Sequence, residues 1–271
     1  MKLNKFFNNF FNKYFRKWLR VITVVLTALL VTVTLSYFVY HHQSEENGPA
    51  PIILKDILSG EFVKVSNNDM FSSNKDAIFL ISWYGCPIGA TYSWGIYGML
   101  SKYTDLNKSV STHSSDPNDV FPNTPGLIFN SLTFNAHGHT VRFYPIYLYN
   151  QYMNATVSGT PILAKNLIQT GLQELQKEAP EGIYQTAIDY TTKVPVLGYG
   201  KPSAFIGAPV HINSICIYSG TNGTYLINGP YFSPHLIDTF SPTYLESNYS
   251  SLQVIKNETI AFSEAFNFSI Q

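Results

Sequence analysis

Between Arg20 and His41 the chain runs for twenty residues, Val21 to Tyr40, without a charged side chain. As a helix rising about 1.5 Å per residue, such a run covers roughly 30 Å, the thickness of one hydrocarbon core. Thr23, Thr27, Thr32, Thr34 and Ser36 interrupt its apolar character, but a helical hydroxyl returns its hydrogen bond to the preceding turn and costs little in lipid. The run therefore predicts one transmembrane helix over 21–40. Lys2, Lys5, Lys13, Arg16, Lys17 and Arg20 precede it with no acidic residue among them, which keeps residues 1–20 in the cytoplasm and sends the rest outside. A cleaved signal peptide competes with this reading. Its apolar region is usually shorter, however, and ends in small residues, whereas this run closes on Tyr37-Phe38-Val39-Tyr40. Phe7, Phe11, Tyr14 and Trp18 recur at helical spacing in the tail, either as an interfacial helix or as an aromatic flank.

Charge separates the two sides. All seventeen acidic residues but only eleven of the seventeen basic ones lie beyond residue 42, leaving the outer part near −6 with histidine neutral. Such a surface excludes nucleic acid as a partner. The expected partners are the lipid bilayer, through residues 21–40, and a protein of the cell envelope. Residues 41–50 are polar and include Gly48-Pro49, a linker lifting a domain of residues 51–271 off the bilayer. Six N-x-S/T sequons, at Asn107, Asn154, Asn222, Asn248, Asn257 and Asn267, all fall on the outer side as candidate glycosylation sites.

Within that domain, 62–65 reads as a short strand and 77–83 (AIFLISW) as a strand buried on both faces. Gly85-Cys86-Pro87 breaks the run, and Ile96, Met99, Leu100 and Tyr103 then repeat at helical spacing. Gly95 and Gly98 each weaken that helix by about 1 kcal/mol relative to Ala. Residues 108–150 read as short strands and turns, with His137-Gly138-His139 at a hairpin tip. Thr160-Pro161 is expected to cap a helix with the stripe Ile168, Leu172, Leu175 and Ala179, stopped by Pro180. Val194-Pro195-Val196 opens strand-like runs around Gly200, and the last seventy residues read mostly as strand and loop.

The segment FLISWYGCPIGATYSW, with VPVLGYG about a hundred residues later, resembles the thioredoxin superfamily. It is closest to a membrane-anchored family of unknown function from thermoacidophilic archaea, whose tract rich in Ser, Asp and Pro is matched by THSSDPNDVFPNTP. The resemblance implies an α/β fold: a thioredoxin-like core carrying an inserted strand and helix segment and preceded by the transmembrane helix. It also implies that Cys86 is the nucleophile at a helix start, with Trp83, Pro87, Val194 and a cis Pro195 shaping a substrate groove. The motif departs from C-x-x-C at Gly89. Without a resolving thiol, Cys86 could form a mixed disulfide but could not complete a dithiol cycle. Two functions follow: a non-catalytic binding module of the cell envelope, or a monothiol exchange or thiol-capture protein.

Cys216 alternates with apolar residues on a strand and reads as core, unbonded to Cys86. No cofactor or metal is expected. His137 and His139 sit two apart and His113 precedes them, but no further cluster at ligand spacing joins them. A phosphate loop, a nucleophile elbow and a zinc-protease motif are absent. Asp116 and Asp119 read as turn residues, and Glu174 and Glu178 as a solvated helix face.

Overall fold

The computed structural model describes residues 54–71 and 76–271. The expected tail, transmembrane helix and linker lie outside the described residues, among which no helix is long and apolar enough to cross a membrane.

Among the described residues there are eight strands: β1 (Phe62–Ser66), β2 (Asp76–Ser82), β3 (Val110–Ser114), β4 (Pro125–Phe129), β5 (Leu132–Ala136), β6 (His139–Tyr147), β7 (Ile215–Gly220) and β8 (Gly223–Asn228). The helices are α1 (Pro87–Leu100), α2 (Leu167–Glu178), α3 (Glu181–Ile188), α4 (Pro242–Asn248) and α5 (Gln253–Ile270). Six strands form one mixed sheet in the order β1-β8-β7-β2-β6-β5, while β3 and β4 pair separately.

Every residue of β2 is buried, as its unbroken apolar run requires of a central strand with helices on both faces. β2 pairs in parallel with β6 and antiparallel with β7. The parallel pair needs a crossover, which α1 begins. Ile78 and Leu80 face a cluster shared with α1 and α5, through Ile96, Met99, Phe262 and Phe266. Ala77, Phe79 and Ile81 face the other side, with Leu167 and Leu175 of α2 and Ile183 of α3. The fold is therefore an α/β sandwich of three layers.

Several expectations are corrected. Thr160-Pro161 caps no helix: Pro161 bridges to Ala155, and a 3-10 turn over Ala164–Asn166 leads into α2. Pro180 ends α2 as expected but also opens α3, since a proline at a helix entry loses no intrahelical bond. Val196 makes only isolated bridges to Ile57 and Lys201. The carboxy-terminal segment contains α5, eighteen residues long. Its stripe of Ile255, Phe262, Phe266 and Ile270 is fully buried, and that burial overrides the weak helix propensity of its Asn, Thr, Ser and Phe residues.

Gly95 and Gly98 explain how α1 and α5 meet. A Cβ at Gly95 would fall 2.6 Å from Glu258 Cγ, and one at Gly98 would fall 2.4 Å from Thr259 Oγ1. The two glycines that weaken α1 on its own let α5 lie against it.

Candidate functional site

β2 delivers its last residues to the end of the sheet where α1 begins. Cys86 has an extended backbone (φ −71°, ψ 120°) and is the N-cap of α1, with Pro87 at the first helical position. Its sulfur stands where a capping oxygen usually does, accepting from the Gly89 amide at 3.4 Å. A second donor reaches the same atom from the segment entering β7: Ser214 Oγ lies 2.9 Å from Cys86 Sγ. Ser214 in turn shares a 2.7 Å hydrogen bond with Ser82 Oγ at the end of β2.

Cys86 is only 2% exposed. Burial pushes its thiol above the ordinary value, and the hydrogen bonds from Ser214 and the Gly89 amide offset this only in part. The nearby Asp119 carboxylate adds to the rise. Since the thiolate is the reactive form, Cys86 is held in its inert form near neutral pH. The helix N-terminus favours an anion, but here desolvation wins.

Gly89 occupies the position where a second thiol would stand. A Cβ there would lie 2.1 Å from Ser82 Oγ, 3.2 Å from Ser82 Cβ and 3.0 Å from Ser214 Oγ. The pair of serine hydroxyls thus fills the space that a resolving side chain would enter.

A narrow cleft beside the sulfur is lined by Trp83, Tyr84, His113 and Tyr147 and closed by Gly126 and Leu127. It has room for about one water. Trp83 is buried with its Nε1 unpartnered among the described residues, and the His211 ring meets it edge-on at 5.6 Å. Burial holds the His211 imidazole below its usual pKa. The loop carrying Asp116 and Asp119 is fastened to the cysteine turn by the Asp116 amide, which donates to Gly85 O at 2.9 Å. Both carboxylates also close their own turns, Asp116 accepting from the Asn118 amide and Asp119 from the Phe121 amide.

Of the residues expected to form the groove, the structure places Trp83, Cys86 and Pro87 together. Val194 shares a buried apolar cluster with Trp83 and Cys86, while the Pro195 carbonyl accepts from the Ile57 amide; the cleft lining includes neither of them, nor Pro87. The cis peptide bond expected at Val194–Pro195 is found at Ala208–Pro209 instead. The side chain that meets Cys86 from across the fold is Ser214. Ser82, Ser214 and His211 were not singled out from the sequence, because a serine at a strand end carries no signal of what it faces.

A profile described as a domain of unknown function (DUF929) matches residues 61–268. The chain belongs to that family. The DUF929 span encloses all eight strands and the entire Cys86 site. No curated protein and no solved structure matches the chain.

Elsewhere in the DUF929 domain the histidines weighed as metal ligands are separated. His139 Nδ1 pairs with Asp76 at 2.9 Å, His137 bonds Tyr103 and Asn267, and His113 sits beside Tyr84. No cluster able to hold a metal occurs among the described residues. Cys216 is fully buried opposite Leu80 on β2, and burial drives its thiol pKa upward. Both cysteines are free. Non-reducing peptide mapping of the full chain is expected to recover Cys86 and Cys216 as separate thiols; a linked peptide pair would contradict this arrangement.

Proposed function

We propose that this protein is a non-catalytic, thioredoxin-like binding module, anchored by residues 21–40 with its domain outside the cell membrane. The arrangement of β2, α1 and β6, followed by the β7–β8 hairpin and α5, supports a thioredoxin-like core, with β3, β4 and β5 inserted between α1 and β6. The observation that carries the non-catalytic reading is the sealed Cys86 sulfur, with two serine hydroxyls filling the place of its missing partner.

Partner binding is supported by apolar side chains at the same end of the domain. Val120 is 81% exposed, and Tyr152, Val210 and Leu236 are exposed as well. They adjoin Asp119, Gln151, His211 and His235. Of these, Asp119 lies in electrostatic reach of Cys86, Gln151 O would touch a Cβ at Gly85, His211 packs on Trp83, and His235 packs on Phe121. Apolar side chains exposed near one site can contribute to an interaction surface, and the partner proposed for it is an envelope protein. The monothiol reading draws on one feature: the Cys86 sulfur accepts from two donors, as a thiolate would.

Alkylation separates the two. In the folded full chain Cys86 is expected to react orders of magnitude more slowly than after denaturation, because the reagent must wait for local opening. Cys86→Ser should leave the set of captured partners unchanged. Rapid alkylation of the folded protein, together with mixed disulfides that vanish in Cys86→Ser, would establish the monothiol protein instead.

A further inference from the structure

The six sequons are alike in sequence and unlike in the fold. Transfer of a sugar from a lipid phosphate carrier forms a bond between Asn Nδ2 and the anomeric carbon. It breaks that carbon's bond to the carrier phosphate, which leaves as an anion, and a base of the transferase takes one amide proton. The requirement for Ser or Thr two residues on means that the transferase must also touch that hydroxyl. A folded acceptor therefore has to present both groups on a surface turn.

Five sequons fail this requirement. Asn154 is exposed, but Thr156 is only 3% exposed and its hydroxyl is tied to Ser158 and the Thr160 amide. Asn222 stands at the β7–β8 tip, yet Thr224 is fully buried and donates to Asn68 O. Ser250 is exposed, but Asn248 itself is half-buried as the last residue of α4, with Nδ2 bonded to Tyr244 O at 2.8 Å. A 3-10 turn over Tyr249–Ser251 follows it, so this sequon lies in helical backbone and not in an open turn. Asn257 lies within α5, where Thr259 Oγ1 is buried. Asn267 lies in the same helix, bonded to His137, and Ser269 is 1% exposed with its hydroxyl on Phe266 O.

Asn107 differs. It sits in the turn between α1 and β3, with Asn107 and Lys108 exposed and Ser109 half-buried. The turn is held through the backbone, the Asn107 amide donating to Asp105 Oδ1 and the Ser109 amide to Leu106 O. Neither side chain is needed to maintain it.

We infer that Asn107 is the glycan acceptor of the folded domain, the other five sequons being closed by folding. The inference rests on the outward topology proposed above. The test is peptide mapping by mass spectrometry of the full chain purified from its native membrane, as wild type, Asn107→Gln and Ser109→Ala. The expected result is a hexose-containing mass increment on the Asn107 peptide alone, lost in both variants with unchanged thermal unfolding. An increment on any of the other five peptides, or a bare Asn107, overturns it. Protease accessibility of the domain on intact cells tells the two failures apart: a bare Asn107 on an accessible domain sinks this assignment alone, and an inaccessible domain sinks the topology with it.

Discussion

Raising the pH above about 4.5 is expected to destabilise this domain through Glu258, by up to about 1.4 kcal/mol for each pH unit until the folded-state pKa is reached. Glu258 projects from α5 into the seam with α1 and is fully buried. One oxygen accepts from the Gly95 amide at 3.1 Å, and the other has no partner among the described residues. Burial drives the carboxyl pKa well above its usual value, and the Gly95 amide offsets this only in part. The surrounding groups, Tyr92, Tyr218, Tyr231 and Cys216, supply no positive charge.

In the window above 4.5 the unfolded chain has released the Glu258 proton while the folded chain keeps it. The unfolded state binds fewer protons, so stability falls as pH rises. Asp76, Asp119 and Glu178 are raised by burial in the same direction. His211 opposes them: held neutral by burial, it removes stability as pH falls below about 6.5. Comparison with Glu258→Gln isolates the Glu258 contribution, because the amide oxygen can still accept from Gly95 without a charge to bury. Urea unfolding from pH 4 to 8 should show the variant gaining on the wild type steadily as pH rises. A stability difference that does not change with pH would disprove the assignment.

Glu258 also shows why α5 was not legible in the sequence. The buried stripe of that helix runs Ile255, Glu258, Phe262, Phe266 and Ile270, and a carboxyl at its second place breaks the apolar period on which helix recognition depends. β2 was legible for the opposite reason. Its five inner residues, Ala77 to Ile81, are all apolar and buried, so no polar position interrupts the pattern. The α1 glycines read as a local penalty because their benefit, close approach to Glu258 and Thr259, is made to residues more than 160 positions away.

The site divides in the same way. Cys86 at a helix start, with Trp83 before it and Pro87 after, is written in contiguous sequence and is found there. The residue facing it is set by which strand pairs with β2. β7 is that strand, aligning Leu80 with Cys216 and Ile81 with Ile215, so Ser214 arrives at the sulfur. Val194-Pro195 had the right composition but belongs to a segment tied to Ile57.

Restoring the apparent redox motif by Gly89→Cys is expected to weaken the domain and to yield no working dithiol. Glycine at the third position of α1 costs up to about 1 kcal/mol of helix propensity, so a side chain there should help on local grounds. Packing decides otherwise. The new Cβ would meet Ser82 Oγ at 2.1 Å and Ser82 Cβ at 3.2 Å; the second contact needs only a small shift, but the hydroxyl can turn away only by giving up its 2.7 Å bond to Ser214. Overpacking of this kind costs about 1–3 kcal/mol, which against the propensity gain leaves a net loss of up to about 2 kcal/mol. Gly89→Cys also puts its sulfur among the Ser82 and Ser214 hydroxyls that hold Cys86. Removing the obstruction tests the cause. In a Gly89→Cys background, Ser82→Ala should recover much of the lost stability, although Ser82→Ala alone destabilises by breaking the 2.7 Å bond to Ser214. That difference in sign is the coupling a double-mutant cycle measures. Equal effects of Ser82→Ala in both backgrounds would show that the serine pair does not occupy the resolving position, and a Gly89→Cys protein as stable as wild type that cycles between dithiol and disulfide would show that the site is still catalytic in design.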